Sequence, residues 1–376
     1  MKISKIGILS NLICKGFILL LILFPKTIKA QQDSVSDSDF ELFPIVNYDS
    51  DAGFGYGAKA FLFNQMGLKE SCDLILYNST KGERWYRFVF SIMDIQKRQG
   101  QKYPLALDLI VDYDKWINYR YYGVEYFYER DSLLEYETYT REPFEISTVI
   151  SSAFTKTFVV NVGLKYRTVS SYNFDTNGEL QKFDGSFNNR FINTLSLLVN
   201  LRWDSRNNFI NPTNGMVFQI DAEYSPVLSF TNENYFKLGL TFQNYLTLFE
   251  PQIVFASRLV VQIIYPDNVP IQLQLPIGGN NTLRGLPQDR YLSASTLIFN
   301  NELRFPIWWR LSGIAGLDVG ATGSTTDYEF WAQQLSGWIV NPVLGLRLYM
   351  DNFIVRFDVG FGSETTGIYF NFGHIF

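Results

Sequence analysis

Thr194-Leu195-Ser196-Leu197-Leu198-Val199-Asn200-Leu201-Arg202-Trp203-Asp204 carries the pattern from which the fold follows. Leu195, Leu197, Val199, Leu201 and Trp203 fall on one face of a strand. Thr194, Ser196, Asn200, Arg202 and Asp204 fall on the other, with Leu198 the exception. Phe236-Lys237-Leu238-Gly239-Leu240-Thr241-Phe242-Gln243 alternates in the same way, and so does Leu297 to Phe305. Period-2 alternation recurs from about Phe54 to the end of the chain. A soluble sandwich also alternates, but it covers its apolar face with a core. Here the apolar faces carry large residues at nearly every step, and no helical stretch is long enough to cover them. Lipid on the outside of a closed barrel is the cover that such faces fit.

Composition narrows the choice further. Charged residues are 18% of the 376, aromatic residues 17%, and mean hydropathy is −0.03. Beyond the N-terminal segment no run approaches the ~20 apolar residues of a membrane helix, which excludes a helical membrane protein. One histidine, His374, and two cysteines, Cys14 and Cys72, exclude a zinc site, a Cys-His nucleophile pair and a disulfide scaffold. A barrel enzyme needs a positioned base, and no Gly-x-Ser-x-Gly element occurs. Gly53, Gly55 and Gly57 do not make a phosphate loop, because Lys59 lacks the spacing. The reading is therefore a protein without catalytic residues, cofactor or metal.

Residues 1–30 have the order of an export signal. Lys2, Lys5 and Lys15 precede the apolar run Phe17–Phe24, then come Pro25 and a small residue, Ala30, at the cut. The segment holds five of the 32 basic residues and none of the 37 acidic ones, so the remainder is more acidic than the formal −5 of the whole chain. That balance excludes nucleic acid as a partner. Residues 31–50 begin Ser- and Asp-rich and read as a short periplasmic lead-in to a barrel spanning 51–376.

About sixteen strands are expected, near 54–63, 72–79, 84–94, 103–112, 121–130, 136–150, 157–169, 193–204, 215–225, 234–248, 253–265, 294–306, 311–320, 340–350, 353–361 and 367–376. An even count puts both termini on the periplasmic side, with short turns there and long loops outside. The turn 349–352 and the loops 170–190 and 266–293 obey that parity. Trp308, Trp309, Tyr113 and Trp116 fall at strand ends, as interfacial girdles do.

Four local features stand out. The segment 204–215, with Asp204, Arg206, Pro212 and Gly215, is by itself a polar turn between strands. The stretch 266–293 is unusually long for a loop and holds Leu283-Arg284-Gly285-Leu286. Folded into a barrel, Arg284 needs carboxylate partners. Glu302 and Asp318 lie on the polar faces of the next two strands, although inward acids are normal in any water-filled barrel. The end of the chain places Ile368, Phe370, Phe372, His374 and Phe376 on one face, with Gly373 between Phe372 and His374.

Together these residues resemble the barrel domain of the BamA/TamA family, also called the bacterial surface antigen family. The resemblance covers nearly the whole mature chain. It implies a transmembrane antiparallel β-barrel with a long external loop folded into the lumen. It implies that Arg284 sits at the tip of that loop and meets Glu302 and Asp318. It gives Phe370, Phe372, Gly373 and Phe376 the look of the C-terminal signal read by the machinery that inserts barrels. A glycine-rich first strand, near 54–63, would form a seam with the last, near 367–376. The family's periplasmic POTRA domains have no room between residue 30 and the first strand. The expected function is assistance of protein insertion, assembly or translocation at the outer membrane of a Gram-negative bacterium. The expected partners are outer-membrane lipids, the barrel assembly machinery, client barrel proteins and a separate periplasmic or lipoprotein partner. The alternative is a passive, porin-like conduit.

Overall fold

A computed structural model describes residues 39–123, 136–176, 178–182, 190–249, 253–323, 338–350 and 353–376. The export signal expected at residues 1–30 lies outside the described residues. The strands are β1 (Asp39–Asp49), β2 (Gly53–Phe63), β3 (Ser71–Ser79), β4 (Glu83–Ile92), β5 (Tyr103–Tyr121), β6 (Glu137–Ala153), β7 (Phe158–Tyr172), β8 (Phe191–Asp204) and β9 (Gly215–Ser225). They continue with β10 (Tyr235–Phe249), β11 (Ile253–Tyr265), β12 (Leu275–Ile277), β13 (Tyr291–Ser293), β14 (Ser295–Trp308), β15 (Leu311–Gly323), β16 (Ile339–Tyr349), β17 (Ile354–Phe361) and β18 (Thr366–Phe372). Each barrel strand pairs antiparallel with its neighbours, and β18 closes on β1. β12 and β13 stand apart as a hairpin inside the long loop 266–294, so β11 pairs directly with β14. The result is a closed sixteen-stranded barrel.

Alternation explains the wall. On β10, Phe236, Leu240, Phe242 and Leu246 are exposed on the outer face, while Tyr245 is buried inside. A sheet edge left open in hydrocarbon leaves backbone groups unsatisfied, and closure removes that cost. One end of the barrel carries the turns 64–70, 93–102, 154–157, 205–214 and 309–310 together with residues 373–376; this is the tail end. The other, the loop end, carries the turns 50–52 and 362–365 and the loop 266–294.

The strand count agrees with the sequence, but its composition differs in two places. The first strand is Asp39–Asp49, inside the stretch read as a lead-in, so the boundary at 50 is corrected. Its sequence, Asp-Phe-Glu-Leu-Phe-Pro-Ile, hides the strand by breaking the alternation at Leu42-Phe43 and by carrying Pro44. Proline is tolerated there because β1 pairs with β2 on one side only at that position. The second difference is β5, one 19-residue strand where two were expected near 103–112 and 121–130. Register shifts between Tyr103 and Ala106 and between Trp116 and Tyr119 interrupt its pattern. One strand missed and one counted twice leave the number unchanged, but they reverse the direction of every strand before β6. Residues 124–130 of the second expected strand lie outside the described residues.

Trp308 ends β14 and Trp309 opens the tail-end turn after it, 75% and 78% exposed, as girdle residues are. Tyr113 lies within β5 and not at a strand end, which corrects its expected position, and it stacks on Tyr86 at a centroid distance of 5.7 Å. Trp116 is corrected: it packs edge-on against Tyr119, beside the interior cluster of Tyr121, Tyr139, Leu180 and Ile271. The β5 irregularity that follows Trp116 lies within this interior packing.

Candidate functional site: the lumen loop and the seam

The loop 266–294 enters the lumen as the β12–β13 hairpin, paired from Leu275↔Ser293 to Ile277↔Tyr291. Leu283 and Leu286, fully buried, pack with Ile277 and with Ile298 of β14. These two leucines fix the loop tip, and Arg284 between them is aimed at the wall.

Arg284 is fully buried. Its Nε and Nη2 donate to Asp318 Oδ2 and Oδ1 at 2.8 and 2.9 Å. Nη1 donates to Glu302 Oε1 at 2.8 Å and to Asp358 Oδ2 at 2.9 Å. Four of the five guanidinium N–H donors are thereby used, which is what a charge removed from water requires. The Arg284 amide adds a bond to Asp318 Oδ2 at 3.0 Å. Arg347 also donates to Asp358, and to Glu302 Oε1 at 3.2 Å. Arg304 Nε donates to Glu302 Oε2 at 3.0 Å, and Asn300 Nδ2 to Asp318 Oδ1 at 2.8 Å.

The tip backbone is held as tightly. Gly285 has φ +98°, a conformation side chains disfavour. Its N–H donates to Tyr369 Oη of β18 at 3.1 Å, and its carbonyl accepts from Thr365 Oγ1 at 2.6 Å. Asn341 Nδ2 donates to the Arg284 carbonyl at 2.9 Å. The wall opposite is Gly360 of β17, where a Cβ would fall 2.4 Å from the Arg284 carbonyl carbon. Beyond the tip, Gln288 N donates to Asp51 Oδ2, in the β1–β2 turn, at 2.8 Å. Arg120 Nη1 donates to Asp51 Oδ1 at 3.2 Å. Asp289 accepts from Tyr119 Oη and, at 2.6 Å, from Gln288 Nε2. Burial pushes the carboxyl of Asp289, and that of Asp51, above the usual range.

The loop thus touches both margins of the seam, and the seam itself is thin. β1 pairs with β2 over its whole length, from Asp39↔Phe63 to Asp49↔Gly53. With β18 it makes two registered pairs, Tyr48↔Phe370 and Asp49↔Tyr369, extended by the Ser50 N–H bond to the Ile368 carbonyl at 3.1 Å. The glycine-rich strand expected as the seam is β2; the edge strand is β1, and the expectation is corrected accordingly.

At the tail end, Asp204 holds Arg206 through Nε at 3.0 Å and Nη2 at 2.8 Å. Pro212 is buried in this turn, and Gly215 opens β9 with φ +109°. Ile368 and Phe372 face outward on β18, but the chain bends at Gly373 and does not continue on that face. Phe376 is buried in the barrel, 6.5 Å from the Tyr245 ring centroid, with its main-chain oxygen accepting from Arg304 Nη2 at 3.1 Å. His374 Nε2 lies 3.2 Å from Asn211 Oδ1. Burial, with Arg304 and Arg347 near, holds its imidazole well below the usual range. Among the described residues, no group of His, Cys, Asp and Glu is placed to hold a metal ion.

Sequence reasoning did not single out Asp358, Arg347, Tyr369 or Asp51. A signal existed for Asp358: Arg356, Asp358 and Gly360 alternate with Val355, Phe357 and Val359, so it belongs to the inward face. Arg347 and Asp358 lie on β16 and β17, and their meeting with Arg284 depends on the depth to which the loop enters, which spacing does not reveal.

An Omp85 superfamily domain matches residues 78–376. The chain belongs to the Omp85 superfamily. No curated protein sequence matches it significantly. Its fold is similar to that of BamA from Haemophilus ducreyi lacking POTRA domains 1–3, at a TM-score of 0.64 and 15% identity, over 90% of this chain and 70% of that one. It is also similar to CdiB from Escherichia coli, at 0.64 and 13%, over 92% and 63%. CdiB from Acinetobacter baumannii matches at 0.57 and 14%, over 91% and 60%. The chain therefore spans less than two thirds of either CdiB chain.

Proposed function

We propose that this barrel is a non-enzymatic outer-membrane protein that assists the insertion, assembly or translocation of other proteins through the β1–β18 seam. The thinness of that seam carries the reading. Along Asp39–Asn47 the edge of β1 turned away from β2 has no registered partner, and an unpaired edge is a template for another strand. A client barrel strand pairing there would satisfy backbone groups that hydrocarbon leaves costly. Arg284 holds the loop and the lumen shape and does no chemistry. In this reading residues 1–30 are an export signal, the tail end faces the periplasm, and lipid surrounds the outer face. The barrel assembly machinery inserts the chain itself, and a separate periplasmic or lipoprotein partner works beside it.

The test places purified protein in liposomes and times the folding of an unfolded tester barrel. Faster folding than in empty liposomes, and than with an unrelated closed barrel, is expected. Equal rates in all three would remove the proposal and leave a conduit as the reading, which the polar lumen cavity beside Asn161 and Asn200 would then serve.

A further inference from the structure

The turn 205–214 has contacts that a connection between β8 and β9 does not need. It stands eight strands from the seam in either direction round the barrel, diametrically opposite β1 and β18. Yet Asn211 lies against His374, two residues past the end of β18. The turn and the tail therefore meet across the tail-end mouth.

A second chain of contacts starts at Asp204. Its carboxylate grips the Arg206 guanidinium, which lies 5.4 Å from the centroid of the Phe209 ring. Phe209 packs on Gly100 of the β4–β5 loop, where a Cβ would fall 3.3 Å from its ring atoms. Two residues earlier in that loop, Arg98 donates to the Met93 carbonyl at 3.3 Å and forms an ion pair with Asp108 on the inner face of β5. Arg98 and Asp108 also line a lumen cavity of about 500 Å³, together with Asn161, Lys165, Asn200 and Gln262. The β4–β5 loop is thus the floor of a polar chamber, and Phe209 lies against it.

We propose that the turn 205–214 is a strap that keeps this floor shut, with Phe209 as the clamp and the Asp204–Arg206 fork as its mount. Release of the strap connects the chamber to the tail-end solution and admits small hydrated ions. The polar lining suits hydrated ions, and the strap works independently of the seam and of clients.

Single-channel recording in planar bilayers tests it with the full chain. Phe209→Ala is expected to raise the open conductance several-fold over wild type. Phe209→Tyr, which keeps the ring, and Lys156→Ala, in the exposed tail-end turn after β6, are expected to match wild type. A Gln262→Cys probe in a Cys14→Ser/Cys72→Ser background should react faster with a membrane-impermeant thiol reagent once Phe209 is replaced by Ala. Arg98→Gln, which breaks the floor's ion pair and leaves the strap whole, should act in the same direction and serves if the Phe209 variant fails to fold. Wild type conducting as steadily as Phe209→Ala would overturn the strap. So would a folded Phe209→Ala, or a folded Arg98→Gln in its place, with unchanged conductance and unchanged labelling of the Gln262→Cys probe.

Discussion

Tyr369 of the last strand accepts a hydrogen bond from the backbone N–H of Gly285, 3.1 Å away at the tip of the lumen loop. Three residues past Gly285, Gln288 N donates to Asp51 beside the first strand. One loop is therefore tied to both margins of the seam, and the seam cannot part widely without breaking one tie. Tyr369→Phe removes the acceptor and leaves a buried N–H unpaired, at a cost of about 1–3 kcal/mol. Faster hydrogen exchange is expected in peptides covering 283–288 and 366–372. Unchanged exchange in both would mean that the tie does not bear on the seam.

Arg284→Ala removes the ion pair of buried Asp318 and one of the cations shared by Glu302 and Asp358, and the expected loss of stability is about 3–5 kcal/mol. Arg284→Lys should lose much of the same, because a single ammonium cannot replace a planar fork shared among Asp318, Glu302 and Asp358. Adding Asp358→Asn to Arg284→Ala should cost less than the separate effects summed, since the two residues share one network. Urea unfolding in detergent micelles measures all of these.

Asp289 gives a pH dependence with a defined sign. Burial raises its folded pKa, so between the unfolded and the folded value the folded state holds a proton that the unfolded state has lost. Its contribution to stability is fully present below the unfolded carboxyl pKa and is lost as pH rises through the raised folded value. Asp289→Asn should flatten this part of the stability profile and stabilise the barrel at alkaline pH. An unfolding midpoint that falls equally steeply with pH in wild type and variant would contradict the assignment.

The seam register is open to cross-linking. Tyr48→Cys with Phe370→Cys places two thiols on directly opposed residues and should oxidise readily. Val46→Cys with Phe372→Cys would be opposed if the register continued, but pairing ends at Tyr48, and slow oxidation is expected. Equal rates would mean a seam zipped further than two pairs.

Much of the barrel was legible because lipid on one side and a polar lumen on the other impose alternation on nearly every strand, as in β8 and β10. β1 escaped because a one-sided edge strand tolerates Pro44 and tolerates apolar neighbours such as Leu42 and Phe43. Glu302, Asp318 and Arg284 could be named from motif and strand parity. Asp358 and Arg347 could not be joined to them, since their meeting depends on the depth to which the loop enters. Alternation through Phe376 does not reveal the bend at Gly373 that takes the last residues inside.

The proposed function rests on the β1–β18 seam. Its most direct test is the rate at which an unfolded tester barrel folds into liposomes containing the Tyr48→Cys/Phe370→Cys variant, reduced and then oxidised. Acceleration over empty liposomes is expected when the pair is reduced, with loss of that acceleration on oxidation and recovery with reductant. Acceleration that persists unchanged with the seam covalently locked would contradict it.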